Sequence, residues 1–438
     1  MEEASTSAPA SDMHLVFLED ATPPEVEAYY HDEASTVRVM NDPNHPIQPY
    51  KGVFASRRFE VGDEIFRESP LVAMLHLAGA RTMLNCHECL GFVGESIDDQ
   101  MEYFIAHTQD EIHPEKEKKK EKEEQENKNK KKGLEKRGCG VSCTGGCDEV
   151  VYCSEACRDA SWKRHHSLMC SGIDHHGKEW WEAFYEHAQN TNDIFILAAK
   201  AMSMVLLDAY DRIMNHNVSP REGLVEAWKP FKMGYKKRWW ESVALPSDVD
   251  PGEEDQFRAD LKEIANDSFT LYSHAVELGH PDVYSTCRDI IHIDMWGSLI
   301  GMFELNNLSI IGPGPCSIFE CDQDHIEQVI QSESLVEEFT DAIVEGTGFF
   351  RLHSCMNHSC EPNCRAMLPE TNSEYNKAII QAIKSIDPGT ELTVSYIEED
   401  EPYDVRREQL QDYGFVCLCP KCCVMEGEAN RHSIPQEL

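Results

Sequence analysis

Two patterns in this 438-residue chain carry residues that could do chemistry. The first is a series of close ligand pairs: Cys86-x-x-Cys89, Cys143-x-x-x-Cys147, Cys153-x-x-x-Cys157 and His166-x-x-x-Cys170. Zinc takes four soft or borderline ligands in a tetrahedron, a close pair supplies two from one turn of chain, and two pairs close a site. Eight ligands imply two structural zincs, where one orphan pair would mean little. Cys139 and His165 stand beside these pairs as rival ligands. A further cluster, Cys417-x-Cys419-x-x-Cys422, has three thiolates and needs a fourth ligand; Cys360 is the candidate and Cys423 the local alternative. The second pattern is Asn357-His358-Ser359-Cys360-Glu361-Pro362-Asn363, followed by ELTVSYI (391–397), which places Tyr396 on a strand-like run.

The elements around these residues read as mixed. Apolar residues make up 41% of the chain, enough for a buried core, and the length suits two to four domains. Residues 1–45 are rich in Ser, Pro and acidic side chains and read as a disordered leader. Short apolar runs in 50–75, broken at Val61-Gly62-Asp63, predict a hairpin of strands. Apolar spacing of three to four predicts helices within 178–280, around 194–214 among others, and near 323–345. Lys200 interrupts the longest apolar run, 194–207, which reads as a core helix; no run is long enough to span a membrane. Strand-like runs return at 348–352, 378–383 and 391–397, and a short helix at 404–412 leads into the last cysteines.

Charge narrows the partners. With 79 acidic and 40 basic side chains the net charge is −39, which disfavours direct binding to nucleic-acid phosphates and favours basic partners. The run 115–137 is the exception, with 11 basic and 7 acidic residues, and reads as a solvated insert. The start lacks the basic end and apolar block of a signal peptide, so the 18 cysteines are expected in a reducing compartment as thiols or metal ligands.

Segment CDEVVYCSEACRDASWKRHHSLMC (147–170) resembles a MYND finger, and N-H-S-C-x-P-N, ELTVSYI and C-x-C-x-x-C together resemble the SET domain of protein lysine methyltransferases. The chain is therefore similar to the SET-and-MYND family over roughly 48–424, nearest its shorter branch with a charged insert, which includes plant Trithorax-related members. The resemblance implies an α+β fold. It would contain small SET β-sheets, a knotted-loop-like C-terminal part, an inserted MYND zinc finger and a helical insertion. The expected segments are a leader (1–45), N-terminal SET strands (46–85), the finger (86–170), the helical insertion (171–345), the C-terminal SET core (346–400), a post-SET zinc segment (401–425) and a tail (426–438).

The resemblance also implies roles. The finger pairs would interleave, with Cys86, Cys89, Cys153 and Cys157 on one zinc and Cys143, Cys147, His166 and Cys170 on the other. Cys360, Cys417, Cys419 and Cys422 would hold a third. The activity would be methyl transfer from S-adenosylmethionine to protein lysine, with Tyr396 at the transfer point and Tyr413 lining the lysine channel. Asn357 and His358 would hydrogen-bond the cofactor, Ser354 and Met356 would give backbone contacts, and Asn306, with Asn307 as its rival, would bind its amino-acid end. Phe415 would pack on the adenine. Lys51-Gly52 matches the family's G-x-G loop, with Tyr50 in place of its first glycine. Expected partners are a lysine-rich protein substrate, histone or otherwise, and proline-containing peptides at the finger. A monomer in nucleus or cytoplasm is expected, without membrane or nucleic acid. The alternative is a non-enzymatic adaptor that binds proline-containing peptides through the finger and uses the SET fold as scaffold.

Overall fold

The computed structural model describes residues 14–31, 35–41, 51–77, 83–94, 96–112, 140–147, 149–172, 176–234, 237–246, 249–312, 314–319, 321–367 and 376–425. The described strands are β1 (Val37–Asn41), β2 (Lys51–Ala55), β3 (Glu64–Glu68), β4 (Val72–Leu75), β5 (Val141–Ser142), β6 (Val151–Tyr152), β7 (Asn307–Gly312), β8 (Val344–Phe349), β9 (Asn357–His358), β10 (Cys364–Met367), β11 (Ala378–Ala382) and β12 (Glu391–Val394). They form three small sheets, ordered β1-β2-β12-β9, β10-β11-β3 and β4-β8-β7, plus the finger ribbon β5-β6. Only β12 and β9 pair in parallel, Thr393 opposite Asn357 and Val394 opposite His358. That pairing lays the Asn357-His358 segment beside the strand leading to Tyr396.

Alternation places Val37, Val39, Val53, Ile65, Ile380, Leu392 and Val394 on inner faces, where they share one core. Val61-Gly62-Asp63 is a turn, but β2 and β3 are not a hairpin: β2 pairs with β1 and β12, while β3 pairs with β11. Residues from late in the chain compete successfully for both strands. The expected strand at 348–352 lies earlier, in β8, and the chain past Phe349 turns into the loop before β9.

The helical layer contains α1 (Leu15–Leu18), α2 (Pro23–Tyr30), α3 (Ile97–Ile112), α4 (Glu155–Ser161), α5 (Lys178–Asn190), α6 (Ile194–Asn215), α7 (Pro220–Lys232), α8 (Glu254–Gly279), α9 (Ile293–Asn306), α10 (Gln323–Ile330), α11 (Glu333–Thr340) and α12 (Tyr403–Gln411), with shorter turns between them. Helix α6 is buried on most of its surface, which explains its apolar run. It packs with Trp181, Phe184, Trp228, Tyr272 and Trp296 in the largest core. Each such ring contributes about 1.5–3 kcal/mol by leaving water. Helix α7 starts at Ser219, whose hydroxyl accepts from Glu222 N, followed by Pro220 where no N–H is needed. The single helix expected near 323–345 is two, because Gln331 adopts φ 58°, a left-handed cap between α10 and α11. The 171–345 segment also contributes β7, so it is not purely helical.

The expected disordered leader is corrected for residues 14–31 and 35–41. Helix α2 has a capping box in which Glu25 Oε2 accepts from Thr22 N at 2.7 Å, and β1 completes a sheet edge. The charged insert 115–137, Tyr50, Cys139 and the tail 426–438 lie outside the described residues. No helix among the described residues is long and apolar enough to cross a membrane.

Lys200 has a local explanation. Strand β4 is an edge, and its outward carbonyls would be orphaned beneath α6. Lys200 Nζ donates to Ala73 O at 3.0 Å, and Arg164 from the finger donates to Leu71 O. Burial pushes the Lys200 ammonium down to about 8, and the nearby Glu88 carboxylate opposes that shift. Arg164 also reaches Glu88 at 2.9 Å, so one part-buried charge group joins finger, sheet and helical layer.

Candidate active site and metal centres

Three groups of four ligand atoms converge, each within 4.8 Å of one another: Cys86, Cys89, Cys153 and Cys157; Cys143, Cys147, His166 and Cys170; and Cys360, Cys417, Cys419 and Cys422; a smaller set, His14, His292 and Asp294, meets the same distance. A tetrahedron with Zn–S of about 2.3 Å has S–S edges of about 3.8 Å. The separations fit that size: Cys89–Cys153 is 3.6 Å, Cys153–Cys157 3.5 Å, Cys143–Cys170 3.6 Å and Cys360–Cys422 3.5 Å. His166 Nε2 lies 3.2 Å from Cys143 Sγ and 3.3 Å from Cys147 Sγ. Soft thiolates with at most one imidazole, mostly buried, are the donor set of structural zinc. The turn after α4 (162–166) is wound as a π-helix, which turns His166 and the buried neighbour His165 in different directions. His165 faces Glu88 at 3.6 Å rather than a metal group. Cys423 is exposed, its thiol directed at Leu418 O, so Cys360 is the fourth member of the third group.

The third group is wired to Tyr396. The Tyr396 backbone N–H donates to His358 Nδ1 at 3.0 Å, so the ring proton sits on Nε2, which lies 3.2 Å from Cys360 Sγ. Burial, with the nearby Arg406 cation, pushes His358 down to about 4 and keeps the ring neutral. Both ring nitrogens are engaged within the chain. The expectation that His358 hydrogen-bonds a cofactor is thereby restricted to its backbone and ring face. Arg406, 2% exposed, faces Cys360 and Cys422; burial works against its charge, and the two sulfurs sustain it.

The Tyr396 hydroxyl donates to Met356 O at 2.5 Å, and burial holds its pKa well above the ordinary tyrosine range. Tyr413 lies with its ring centroid 5.1 Å from that of Tyr396 and donates to Tyr396 O at 3.4 Å. Phe415 completes the group, 6.0 Å from His358 and edge-on to Tyr396 at 6.4 Å. Asn357 Nδ2 donates to Lys51 O at 2.7 Å and to Glu391 Oε1 at 2.8 Å. Gly52 permits this close approach: a Cβ would lie 2.6 Å from Glu391 Oε1 and 3.1 Å from Asn357 Nδ2, so the Glu391 carboxylate would have to shift. Lys51 Nζ turns away to Met233 O at 2.6 Å.

A cavity of about 510 Å³ opens beside this group. Tyr396, Tyr413, Ser354, Asn306, Asn307 and His353 line it, and Glu398, Glu399 and Asp400 form an acidic side. Asn306 Nδ2 donates to Met302 O at 2.8 Å and Ser354 Oγ to Arg351 O at 3.0 Å, so both are fixed in the wall. Sequence reasoning assigned no role to Glu391, Arg406 or His353. Their signals are tertiary: each is polar and buried or part-buried against groups distant in the chain.

Residues 50–397 match the SET domain family, and the chain belongs to it. It is similar to histone-lysine N-methyltransferase ATXR2 of Arabidopsis thaliana, 39% identical over 302 residues covering 64% of this chain and 62% of that protein, less than two thirds of its length. It is also similar to protein-lysine N-trimethyltransferase SMYD5 of Mus musculus, 25% identical over 406 residues covering 87% of this chain and 85% of that protein. A SET and MYND domain-containing protein of Dictyostelium discoideum is 37% identical over 78 residues, 18% of this chain and 22% of that protein.

Proposed function

We propose that this chain is a zinc-dependent-fold, S-adenosylmethionine-using protein-lysine N-methyltransferase. The observation that carries the reading is the convergence of Tyr396, Tyr413, Asn306 and Ser354 on one polar cavity in a SET-family chain, with the Asn357-His358 segment paired to the strand that leads to Tyr396. The cavity wall offers Asn306 and Ser354 to the cofactor, while the Lys51 backbone and the Phe415 ring lie against the Asn357-His358 segment next to it. When bound, S-adenosylmethionine supplies a methyl group activated by a sulfonium cation. Asn357, anchored to Lys51 and Glu391, holds the two loops that would cradle it.

A substrate lysine must arrive charged and react neutral. Glu398, Glu399 and Asp400 attract the ammonium at the mouth. Deeper in, loss of water favours the neutral amine. Tyr396 is held by Met356 O, so its oxygen is fixed before substrate arrives and orients the amine for in-line attack. Tyr413 packs against it and narrows the channel.

The plant relative's name supports histones as candidate substrates, and the acidic rim supports lysine-rich proteins generally. Nuclear or cytoplasmic action, proline-containing peptides at the finger and a monomeric state complete the reading. The test is transfer of labelled methyl groups into nuclear and cytosolic extracts. The Tyr396→Phe variant should lose on the order of a hundredfold in turnover while S-adenosylmethionine still raises its melting temperature. Near-normal turnover in that variant removes Tyr396 from the chemistry.

A further inference from the structure

His14, His292 and Asp294 meet away from the cavity wall and outside the three cysteine groups. His292 caps α9: Asp294 N donates to His292 Nδ1 at 3.1 Å, so the lone pair is on Nδ1 and the proton on Nε2. His14, just before α1, stacks on that ring, with centroids 3.6 Å apart and planes 14° from parallel. Its Nε2 lies 3.4 Å from Asp294 Oδ2, and His292 Nδ1 lies 3.5 Å from the same oxygen. A tetrahedral zinc with ligands at about 2.0–2.1 Å has edges of about 3.3–3.4 Å, so both separations are already those of two ligands on one ion. The other oxygen, Oδ1, accepts from Arg238 Nε at 2.6 Å, which fixes the carboxylate and leaves Oδ2 to the two rings. The His292 and Asp294 side chains are 39% and 22% exposed, so the group is open to an ion from solvent.

We propose that His14 Nε2, His292 Nδ1 and Asp294 Oδ2 bind a further zinc ion, exchangeable and separate from the cysteine groups. Two imidazole nitrogens and one carboxylate oxygen are borderline donors suited to zinc, and water completes the tetrahedron. The ion replaces the Asp294 N–H on Nδ1, and that first-turn amide turns to solvent. His14 passes from the Nε2–H tautomer that the carboxylate favours to the Nδ1–H form, so binding releases no proton from either ring. The positive end of α9 and the Arg238 guanidinium both oppose a cation, which sets Kd on the order of 10 µM, far weaker than thiolate sites. The ion ties α1 to α9. Phe17 of α1 is buried in the largest core and its carbonyl accepts from Trp228 Nε1 at 2.8 Å. The tie therefore fastens the amino-terminal segment to the far end of the helix whose last residue, Asn306, lines the cavity.

The experiment titrates zinc chloride into the full chain, after gel filtration with a weak chelator has left zinc in the thiolate groups alone. Calorimetry counts the ions taken up, and thermal melts read the tie. Wild type should bind one further zinc with Kd on the order of 10 µM, and about 0.1 mM zinc should raise its melting temperature by roughly 1–3 °C. His14→Gln keeps a donor for Asp294 and His292→Asn keeps a helix cap, so both should fold. Each should weaken the further site by about thirtyfold or more and abolish the thermal shift, while the zinc content of the purified protein stays at the wild-type value. His216→Gln, which breaks an exposed His–Asp pair elsewhere, should behave as wild type. Wild type that takes up no further zinc below about 0.3 mM would overturn the inference. So would a further zinc bound with unchanged affinity by His14→Gln and His292→Asn, or one lost in His216→Gln instead.

Discussion

Replacing Cys360 with Ser separates a metal centre that merely closes the C-terminal segment from one that holds the active site. Cys360 is 1% exposed and belongs to the group with Cys417, Cys419 and Cys422. Its sulfur also receives the His358 Nε2 proton at 3.2 Å, while His358 Nδ1 accepts from the Tyr396 backbone at 3.0 Å. A serine hydroxyl is a poor zinc ligand and a weaker acceptor, so both functions fail together. Arg406 enlarges the loss. Its buried guanidinium is balanced by Cys360 and Cys422, and stripping one partner from a buried charge pair costs about 3–5 kcal/mol. That energy corresponds to a factor of about 10² to 4 × 10³ in the equilibrium holding metal and loop together.

Metal analysis of the purified wild type should find about three zincs per chain, one for each Cys/His group of four, and Cys360→Ser should contain about two. Calorimetry should find S-adenosylmethionine affinity weakened on the order of tenfold, because the same loop carries Asn357. Cys423→Ser is the control: Cys423 is exposed and outside the ligand group, and both quantities should stay at wild-type values. A Cys360→Ser protein with three zincs and full cofactor affinity would refute the coupling.

Two further outcomes are expected. Neutralising the rim, with Glu398→Gln, Glu399→Gln and Asp400→Asn together, should raise KM for a lysine-rich peptide severalfold at about 0.05 M salt and leave kcat nearly unchanged. The difference from wild type should shrink at about 0.3 M, and a salt-independent difference would exclude charge as its cause. His353 should make the fold acid-sensitive. Its folded value is about 4 against an ordinary 6.5, so the unfolded chain binds the proton first. Stability from this group is full above about pH 6.5 and is lost as pH falls through 4, amounting to roughly 3 kcal/mol. Denaturant titrations of wild type and His353→Asn at pH 7, 5.5 and 4.5 should diverge; parallel pH dependence would refute it. Zinc loss affects both proteins alike and cancels in the comparison.

The sequence already paired most of the Cys and His that the fold clusters, because the spacing within each pair is local. It left the fourth ligand of the third group open between Cys360 and Cys423, since only folding brings residues some sixty positions apart into one cluster. The Gly62-Asp63 signal correctly marked a turn but not its strands' partners. A turn constrains direction, whereas pairing is decided by which strands arrive, and β12 and β11 come from more than three hundred residues later. The leader misled through composition. Its Pro and acidic residues suggest disorder, yet Thr22-Pro23-Pro24-Glu25 is a capping sequence that starts α2. His353 gave no signal of its own, because its burial and its place beside the cavity exist only once β8 and the following turn have folded.

The placement of the three metal groups follows from how small the sheets are. Among the described residues no sheet exceeds four strands, and a short strand has little burial with which to hold a loop. On one side of the cavity, β12 and the Asn357-His358 segment are tied by His358 to the third group. On the other, Asn307 and the His353 turn depend on β7 and β8, whose neighbour β4 has its outer carbonyls covered by Lys200 and by Arg164 of the finger. The third group therefore acts on Tyr396 through one imidazole. The two finger groups act at one remove, through Arg164, β4 and β8. Zinc held by these three groups would add to the hydrophobic cores behind β4, β7 and β8 in keeping the cavity walls in register.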